Sequence, residues 1–464
     1  MRIVRDEKSL IESLKAAQNE ARTSFGDDRV FIEKYIENPR HIEIQILGDQ
    51  FGNIIHLGER ECSLQRRHQK VIEEAPSLFL TPEIREEMGN QAISLAKRVN
   101  YYSAGTVEFV MGSDRKFYFL EMNTRLQVEH PVTEYVTGID LVEEMIRIAA
   151  GEKLKHSQKD ISSQGHAIEA RIYAEDPTRE FLPSSGRLVD YKIPKASSDL
   201  RIDTGVEEGD EISTFYDPMI AKIIGYGSTR EEARKKLIQA LNETYIRGIS
   251  TNTTFLGTLL NTPQVIEGHL NTHLIEELFP HGSKSEIATD LNTFLIAAAF
   301  VHLKTQNKLT ENQNLAVQHL DQFYNVVLTS KGSHIEFTVN DVQGRFSADW
   351  RPSDYLLKGT LNDHPLIMQV DYNSLEIKLT TNGQQGIFKV FSENIAKLLK
   401  RMPLKEKPDL SNRVLSPMPG LVVDLQVSVG QPIKIGQPVA IIEAMKMENI
   451  IRAEREGIIE AIFV

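Results

Sequence analysis

An internal repeat near the C-terminal end limits how this part of the chain can fold. Residues 420–425 (GLVVDL) recur as residues 457–462 (GIIEAI), and repeated strand patterns of this kind indicate a unit built from two similar halves. Between the copies, strands predicted over residues 439–442 and 449–452 flank the segment EAMKME, residues 443–448. We therefore expect Lys446 at the tip of a hairpin, projecting into water. A Met-Lys-Met triplet alone also fits an ordinary surface lysine.

Charge and composition exclude several classes of protein. The formal net charge of −12 argues against a surface for nucleic acid or anionic membrane. A single cysteine, Cys62, excludes a disulfide framework and suits a reducing compartment. The first residues lack the apolar stretch of a secretory signal, and no apolar run is long enough to span a bilayer. The length of 464 residues predicts about three domains.

The pattern of apolar residues divides the chain into four regions. Residues 1–282 alternate predicted strands with helices, as an α/β or α+β domain does. Residues 283–400 are expected to form one long apolar helix starting at Ser285, followed by strands over residues 322–392 with a tight turn at Asn382-Gly383. This region reads as a helix against a small antiparallel barrel. Residues 401–412 form a charged, proline-containing linker to the last region, 413–464.

A pair of carboxylates in the first region predicts a metal site. Strands over residues 106–110 and 117–123, joined by a turn at 112–115, place Glu108 opposite Glu121 with Asn123 just beyond. Two carboxylates so close need a hard cation, and oxygen ligands select magnesium or manganese, typically shared with nucleotide phosphates. The structural alternative is a pair of solvated strand glutamates.

The residues after Asn123 continue the polar pattern. Strand alternation would place Arg125, Gln127 and Glu129 on the face of Asn123, and Thr124, Leu126 and Val128 on the other face. An edge strand facing water would look similar, but the row starts at the proposed metal ligands. Arg125 can hold a planar oxyanion through two parallel hydrogen bonds, and Glu129 can act as a base.

Two further basic features have weaker signals. Residues 63–70 (SLQRRHQK) form a basic run in an acidic chain. The alternatives are a solvated turn or a basic patch for nucleic acid, and the overall negative charge argues against the second. Arg171 shares a predicted strand face with Ala167 and Glu169, and alone it would usually be a structural ion-pair partner. Cys62 alone is read as a small core residue.

Together these motifs resemble a known family. Residues 31–41 (FIEKYIENPRH), the run 65–70, residues 121–125 with 127–131, and residues 175–176 with 181–183 are similar to biotin carboxylase, an ATP-grasp ligase. The doubled strand pattern around Lys446, with residues 416–420 (SPMPG), resembles the flattened barrel of biotinyl carrier domains. The whole looks like the biotin-containing α subunit of an acyl-CoA carboxylase, most like the propionyl-CoA type. Its middle region resembles the family's subunit-docking domain.

The resemblance implies a role for each matched residue. Glu33, Lys34 and Ile36 would contact the adenine side of ATP, and His41, Gln65 and His68 its ribose and phosphates. Glu108, Glu121 and Asn123 would hold magnesium or manganese, and Lys70, Arg125, Gln127 and Val128 would bind bicarbonate, with Arg171 beside it. Glu129 would deprotonate bicarbonate for attack on the γ-phosphoryl of ATP, giving carboxyphosphate. Arg171 would steady the biotin enolate, and Lys446 would carry carboxybiotin to a carboxyltransferase β subunit.

The same resemblance implies cofactors, partners and departures. We expect covalent biotin on Lys446, ATP, a biotin protein ligase as modifying enzyme, and a hetero-oligomer in the cytoplasm of a bacterium or the mitochondrial matrix of a eukaryote. The family begins with a nucleotide-fold lobe and a glycine-rich lid, which we expect to be missing here. Val464 aligns with Val427, so the last strands of the carrier domain are also expected to be missing.

Three functional hypotheses follow from the sequence. The first is an α subunit acting with propionyl-CoA, with 3-methylcrotonyl-CoA and acetyl-CoA as alternative acceptors. The second is another ATP-grasp ligase, which would lack a biotinyl module. The third is a non-catalytic carrier or scaffold. Pyruvate carboxylase is disfavoured because residues 283–410 are too few for its transferase barrel.

Overall fold

The computed structural model describes residues 3–284, 287, 289–309, 312–402, 413–444 and 447–463. A sheet with packed helices comes first along the chain, followed by a barrel that encloses a helix and then by two small sheets near the C-terminal end. Among these described residues, no helix is long and apolar enough to cross a lipid bilayer.

A large antiparallel sheet organises the first region. Its strands, with the short strands beside it, are β1 (Arg40–Gly48), β2 (Ile54–Arg66), β3 (Gln69–Ala75), β4 (Ser103–Met111), β5 (Phe117–Asn123), β6 (His166–Tyr173), β7 (Glu175–Asp176), β8 (Leu182–Pro183), β9 (Gly186–Arg187), β10 (Asp190–Lys192), β11 (Leu200–Thr204), β12 (Glu211–Ile212), β13 (Met219–Gly227) and β14 (Tyr245–Arg247). Eight strands form the sheet in the order β11-β13-β6-β3-β2-β1-β4-β5, and every neighbouring pair is antiparallel. The predicted mixture of strands and helices is confirmed.

The first region also contains helices, and one of them packs on the apolar face of the sheet. They are α1 (Glu7–Phe25), α2 (Pro82–Arg98), α3 (His130–Thr137), α4 (Leu141–Ala149), α5 (Arg230–Glu243), α6 (Thr253–Leu260), α7 (Pro263–Glu267) and α8 (Leu274–Leu278). The buried Met88, Ala92 and Ala96 of α2 share one core cluster with the isoleucines at 42, 44 and 46 of β1. Because side chains alternate along a strand, residues 41, 43 and 45 of β1 face the opposite side.

The prediction that a strand continues from Asn123 to Glu129 is wrong. Strand β5 ends at Asn123, residues 124–129 are irregular, and α3 begins at His130. Pro131 favours the start of α3 at this point, because its fixed φ suits the first turn of a helix.

A closed eight-stranded barrel forms most of the middle region. Its strands are β15 (Gln313–His319), β16 (Gln322–Ser330), β17 (Ile335–Val339), β18 (Val342–Asp349), β19 (Leu356–Leu361), β20 (His364–Tyr372), β21 (Ile377–Thr381) and β22 (Gln384–Ser392). They follow each other in chain order, and β22 pairs with β15 to close the barrel. The predicted turn is confirmed: Asn382 and Gly383 have φ of 50° and 78°, as a two-residue hairpin turn requires. The barrel begins at Gln313, earlier than the predicted residue 322.

The barrel core contains an apolar helix, α9 (Leu291–Thr305). Its residues 293–301 are all buried, as expected for a helix that is hydrophobic on every side. The predicted start at Ser285 is wrong within the described residues: Asp290 has a left-handed φ of 58°, and Ile287 packs against the core without being helical. Residues 285, 286 and 288 lie outside the described residues.

The C-terminal region contains two small sheets. After α10 (Glu393–Leu399), the strands are β23 (Leu421–Leu425), β24 (Pro432–Ile433), β25 (Pro438–Ala444), β26 (Met447–Arg452) and β27 (Gly457–Ile458). One sheet has the order β23-β25-β26, and the other pairs β24 with β27. Both copies of the repeat therefore begin with a strand. The predicted strands on either side of residues 443–448 are confirmed, and linker residues 403–412 lie outside the described residues.

Candidate active site

A row of charged residues crosses four adjacent strands of the large sheet. In register, Glu43 of β1 lies beside Arg60 of β2 on one side and Glu108 of β4 on the other, and Glu108 lies beside Glu121 of β5. Residues directly opposite each other project to the same face. The predicted pairing of Glu108 with Glu121 is confirmed, and the row lies on the face that α2 does not cover.

Lys70 of β3 joins this row to Glu129. Its Nζ lies 2.5 Å from a carboxylate oxygen of Glu43, 2.5 Å from one of Glu129 and 3.5 Å from one of Glu108. Burial alone would lower the pKa of Lys70, but the surrounding Cys62 and carboxylates raise it. A permanently charged ammonium therefore stands among three acidic side chains, and such a group can bind a small anion.

Arg171 lies on the other side of Glu129. Its NH2 atom is 2.9 Å from Oε2 of Glu129 and 2.5 Å from Oε1 of Glu73 on β3. Burial raises the pKa of Glu73 to about 7, against the lowering effect of Arg171. Glu129 is itself only 2% exposed. The proposed base is thus held between two cations, Lys70 and Arg171.

His41 and Gln65 connect the row to the proposed nucleotide side. His41 Nε2 lies 2.8 Å from Oε2 of Glu108, and its Nδ1 lies 2.7 Å from Nε2 of Gln65. Burial would raise the pKa of Glu108, but hydrogen bonding by His41 and the charge of Lys70 lower it to about 2. Glu108 is therefore ionised at neutral pH, which a metal ligand requires.

The predicted metal ligands converge. Nδ2 of Asn123 lies 3.0 Å from Oε1 of Glu108 and 3.1 Å from Oε1 of Glu121. The amide thus bridges the two carboxylates, and a half-turn of its side chain would present Oδ1 beside them instead. Two carboxylates and an amide oxygen suit magnesium or manganese, so these residues fit the expected ion.

The proposed bicarbonate residues separate into two environments. Gln127 is buried and donates from Nε2 to Oε1 of Glu108 at 2.7 Å. The backbone carbonyl of Val128 accepts a hydrogen bond from Nζ of Lys222 on β13. Arg125 is exposed, and its guanidinium donates to the carbonyl of Leu126 at 3.3 Å. Gln127 and Val128 therefore join the buried cluster, whereas Arg125 lies at the surface.

The expected adenine-side residues lie in an irregular segment before β1. Lys34 Nζ lies 2.8 Å from the hydroxyl of Tyr118 on β5, and its side chain is exposed, as is that of Glu33. Ile36 is half-buried. His68 is in the β2–β3 turn with φ of 63°. Lys34 therefore lies beside the edge strand β5, and no described hydrogen bond or ion pair joins these four residues to the buried cluster.

Sequence reasoning missed four residues of the cluster: Glu43, Arg60, Glu73 and Lys222. A signal for Glu43 is present, because His41, Glu43 and Gln45 alternate with isoleucines along one predicted strand and must share a face. Arg60 stands between two other charged residues in the sequence, so the pattern does not show which face of the strand it occupies. Lys222 is far away in sequence and only the pairing of β13 with β6 brings it near.

The proposed biotin anchor, Lys446, lies outside the described residues. The strands before and after it pair in register, with Ala444 opposite Met447. The hairpin predicted around this lysine is therefore present.

Four protein-family models match successive parts of the chain. They are described as the carbamoyl-phosphate synthase L chain ATP binding domain (residues 1–157), the biotin carboxylase C-terminal domain (169–277), the propionyl-coenzyme A carboxylase BT domain (299–405) and the biotin-requiring enzyme family (412–464). The third match covers the second half of α9 and the barrel, and the fourth covers the two small sheets.

Curated relatives match along the whole chain. The propionyl-CoA carboxylase alpha chain of Ruegeria pomeroyi is 44% identical over 100% of this chain and 73% of the relative. The human mitochondrial propionyl-CoA carboxylase alpha chain is 41% identical over 100% of this chain and 66% of its own length. A methylcrotonoyl-CoA carboxylase subunit alpha from Dictyostelium discoideum is 39% identical over 100% of this chain and 70% of the relative. The chain therefore spans about two thirds of the length of these relatives.

Solved structures match the first region. The biotin carboxylase domain of Hydrogenobacter thermophilus 2-oxoglutarate carboxylase, in complex with MgADP, ADP and bicarbonate, is 47% identical, with a TM-score of 0.57 over 60% of this chain and 61% of that chain. Rhizobium etli pyruvate carboxylase is 40% identical, with a TM-score of 0.57 over 64% of this chain and 27% of that chain.

Proposed function

Because the chain belongs to the propionyl-CoA carboxylase alpha-chain family, we propose that it carboxylates protein-bound biotin with bicarbonate and ATP. It is then the biotin-bearing subunit of an ATP-dependent, biotin-dependent ligase. The observation that carries the proposal is the buried cluster in which Lys70, Arg171 and Gln127 surround Glu129 and Glu108.

Bicarbonate binding is the task of the cationic part of the cluster. Lys70 and Arg171 supply positive charge on two sides of Glu129, and Gln127 supplies an amide donor. Glu129 is placed to take the proton of bicarbonate, which makes the anion a nucleophile toward the γ-phosphoryl group of ATP. We assign the exposed Arg125 to binding the anion from the solvent side.

ATP and its metal ion belong at the other end of the row. Glu108, Glu121 and Asn123 are the residues that would hold magnesium or manganese, which neutralises developing charge on the phosphates. His41, Gln65 and His68 border this end, and Glu33, Lys34 and Ile36 are assigned to the adenine side. Among solved relatives, one binds MgADP and bicarbonate in its homologous domain, and this supports the assignment.

Biotin supplies the nitrogen that accepts the carboxyl group, and Lys446 is the residue that would carry it after modification by a biotin protein ligase. A carrier on a linker raises the effective concentration of biotin at both sites it visits. The second site belongs to a carboxyltransferase β subunit. The barrel, which lies in the part that matches the BT domain, is assigned with its helix to docking that subunit. We assign the protein to the bacterial cytoplasm or, in a eukaryote, to the mitochondrial matrix.

Phosphate release from ATP with free biotin tests the carboxylation step. In the holoenzyme, we expect release that depends on bicarbonate and that falls at least about 100-fold in Glu129→Gln, as expected on removing a general base. Glu87→Gln is the matched control, because Glu87 is exposed on α2, on the opposite face of the sheet. Release that does not depend on bicarbonate would refute the proposal.

Propionyl-CoA is the acceptor that the relatives favour, since the first matches are propionyl-CoA carboxylase alpha chains. The methylcrotonoyl-CoA relative makes 3-methylcrotonyl-CoA the second candidate. Assays of the complex with propionyl-, acetyl- and 3-methylcrotonyl-CoA would compare kcat/KM, and propionyl-CoA is expected to give the highest value. A higher value for either other thioester would reassign the enzyme.

A further inference from the structure

Arg60 of β2 is a buried arginine for which the proposed mechanism gives no role. It is 0% exposed. All five of its N–H groups have acceptors: Nε donates to Glu43 at 2.5 Å, NH1 to Gln45 at 2.6 Å and Thr133 at 2.9 Å, and NH2 to Thr106 at 3.2 Å and Gln127 at 2.9 Å. Its acceptors come from β1, β4, α3 and the irregular segment before α3. Because every donor of its guanidinium has an acceptor, the side chain is held in one position.

Two of these hydrogen bonds lead directly to the anion-binding groups. The guanidinium binds Oε1 of Gln127, so the amide nitrogen of Gln127 is the atom that faces Glu108. The guanidinium also donates a hydrogen bond to Oε1 of Glu43, and Oε2 of Glu43 accepts one from Nζ of Lys70. Arg60 therefore fixes which atom Gln127 presents and where the ammonium of Lys70 stands.

We propose that Arg60 is a positioning residue for the bicarbonate site, acting through Gln127 and through Glu43 with Lys70. The inference rests on the proposed function. Arg60 touches neither the base Glu129 nor Arg171 by any described hydrogen bond, so its effect passes through these two neighbours. A lysine could keep the charge, but it has three donors without the planar fork and cannot reach the same set of acceptors.

The test is a comparison of Michaelis constants in the holoenzyme. In Arg60→Lys, we expect KM for bicarbonate to rise about 10- to 100-fold, the range that corresponds to one or two lost charge-assisted hydrogen bonds. KM for ATP is expected to stay within about twofold of the wild-type value, because Glu108 keeps its hydrogen bonds with His41 and Asn123, which do not depend on Arg60. A purely structural role would lower the amount of active enzyme without changing KM for bicarbonate.

Arg85→Lys is the matched control. Arg85 also forms a bidentate ion pair with a buried glutamate: its Nε and NH2 atoms each lie 2.7 Å from a carboxylate oxygen of Glu59. Glu59 alternates with Arg60 along β2 and Arg85 is on α2, so this pair lies on the opposite face of the sheet. We expect its KM for bicarbonate to equal that of the wild type.

Two further measurements keep the inference decidable. If Arg60→Lys does not fold, the double variant Arg60→Met with Glu43→Gln removes both buried charges together, and it too is expected to raise KM for bicarbonate. A wild-type KM in whichever variant folds overturns the inference.

If the wild type shows no bicarbonate-dependent activity, the proposed function fails, and a crystal structure of the variant decides the inference separately. Loss of the Gln127–Glu108 contact supports the inference, and retention of that contact overturns it.

Discussion

Glu43 is a buried carboxylate that lies between two cations of the site. It is 0% exposed, and its two oxygens each lie 2.5 Å from a cation, Arg60 on one side and Lys70 on the other. Burial would raise the pKa of its carboxyl, but the charges of Arg60 and Lys70 lower it to about 2. The residue is therefore ionised in the folded protein at neutral pH.

We expect Glu43→Gln to lower the free energy of unfolding at pH 7 by about 3–5 kcal/mol, because it leaves two buried cations without their shared partner. Since the folded pKa is depressed, the stabilisation by Glu43 is fully present above the unfolded pKa of 4.5 and is lost as pH falls toward 2. Urea denaturation at several pH values measures this. A difference from wild type that is the same at pH 3 and pH 7 would contradict it.

Glu73 has the opposite pH dependence. Burial raises the pKa of its carboxyl to about 7. The charges of Arg171 and Lys70 oppose this rise, whereas the charge of Glu129 adds to it. The folded state then keeps a proton that the unfolded state releases above 4.5, so stability is lost as pH rises from 4.5 through 7.

We expect Glu73→Gln to flatten this loss, so that the variant gains stability relative to wild type between pH 5 and pH 8. Thermal unfolding across that range measures the change, with Glu87→Gln as a surface control. Parallel curves for Glu73→Gln and wild type would show that Glu73 does not titrate there.

At the level of elements, the β21–β22 turn fastens the barrel to the first region. A Cβ added to Gly383 would lie 2.0 Å from the backbone nitrogen of Thr258 on α6, and Gly383 has a φ of +78°. Thr258 also donates from its hydroxyl to the carbonyl of Gly383 at 2.6 Å. The glycine is therefore required both by the turn and by the close approach of the helix.

Gly383→Ala is expected to destabilise this contact far more than Gly332→Ala. Gly332 has nearly the same φ, +79°, but a Cβ there would meet nothing within 4 Å, so it measures the backbone strain alone, roughly 1 kcal/mol. Limited proteolysis should cleave between the first region and the barrel faster in Gly383→Ala only. Equal cleavage of the two variants would refute the role of the contact.

The elements differ in how well local sequence specified them. The β4–β5 hairpin, with Glu108 opposite Glu121, followed from two alternating runs around a turn. Residues 124–129 did not, because a two-residue period of polar side chains also arises in an irregular segment: Gln127 and Glu129 are buried there while Arg125 is exposed. The start of α9 at Leu291 depends on the conformation of Asp290, which apolar periodicity does not encode.

The contacts inside the site depended on long-range pairing. Glu129 was proposed from the polar pattern and Lys70 from the family resemblance. Their 2.5 Å contact arises only when β3 and the segment after β5 meet over the same sheet face. Arg60 and Lys222 carry no local signal that separates them from surface cations. Their roles follow from strand order, which hydrophobic pattern alone does not determine.

At the level of the whole molecule, we propose that the linker predicted at residues 401–412 sets how far the biotin carrier can travel. Deleting residues 403–410 is expected to lower propionyl-CoA carboxylation about 10-fold or more, because a tether that cannot span its sites loses its effective concentration. Phosphate release with free biotin should not change. Replacement of the same residues by glycine and serine is the control for length and should keep most activity. Equal loss with free biotin would contradict this role.

The closure of the barrel has a further consequence for assembly. Since β22 hydrogen-bonds to β15, each barrel strand has a neighbour on both sides. Within the described strands of the barrel, a partner polypeptide thus finds no edge strand to extend by strand addition. Recognition of this module must use its hairpin loops and outward side chains, so substitutions on that outer surface would alter subunit affinity without disturbing the apolar interior.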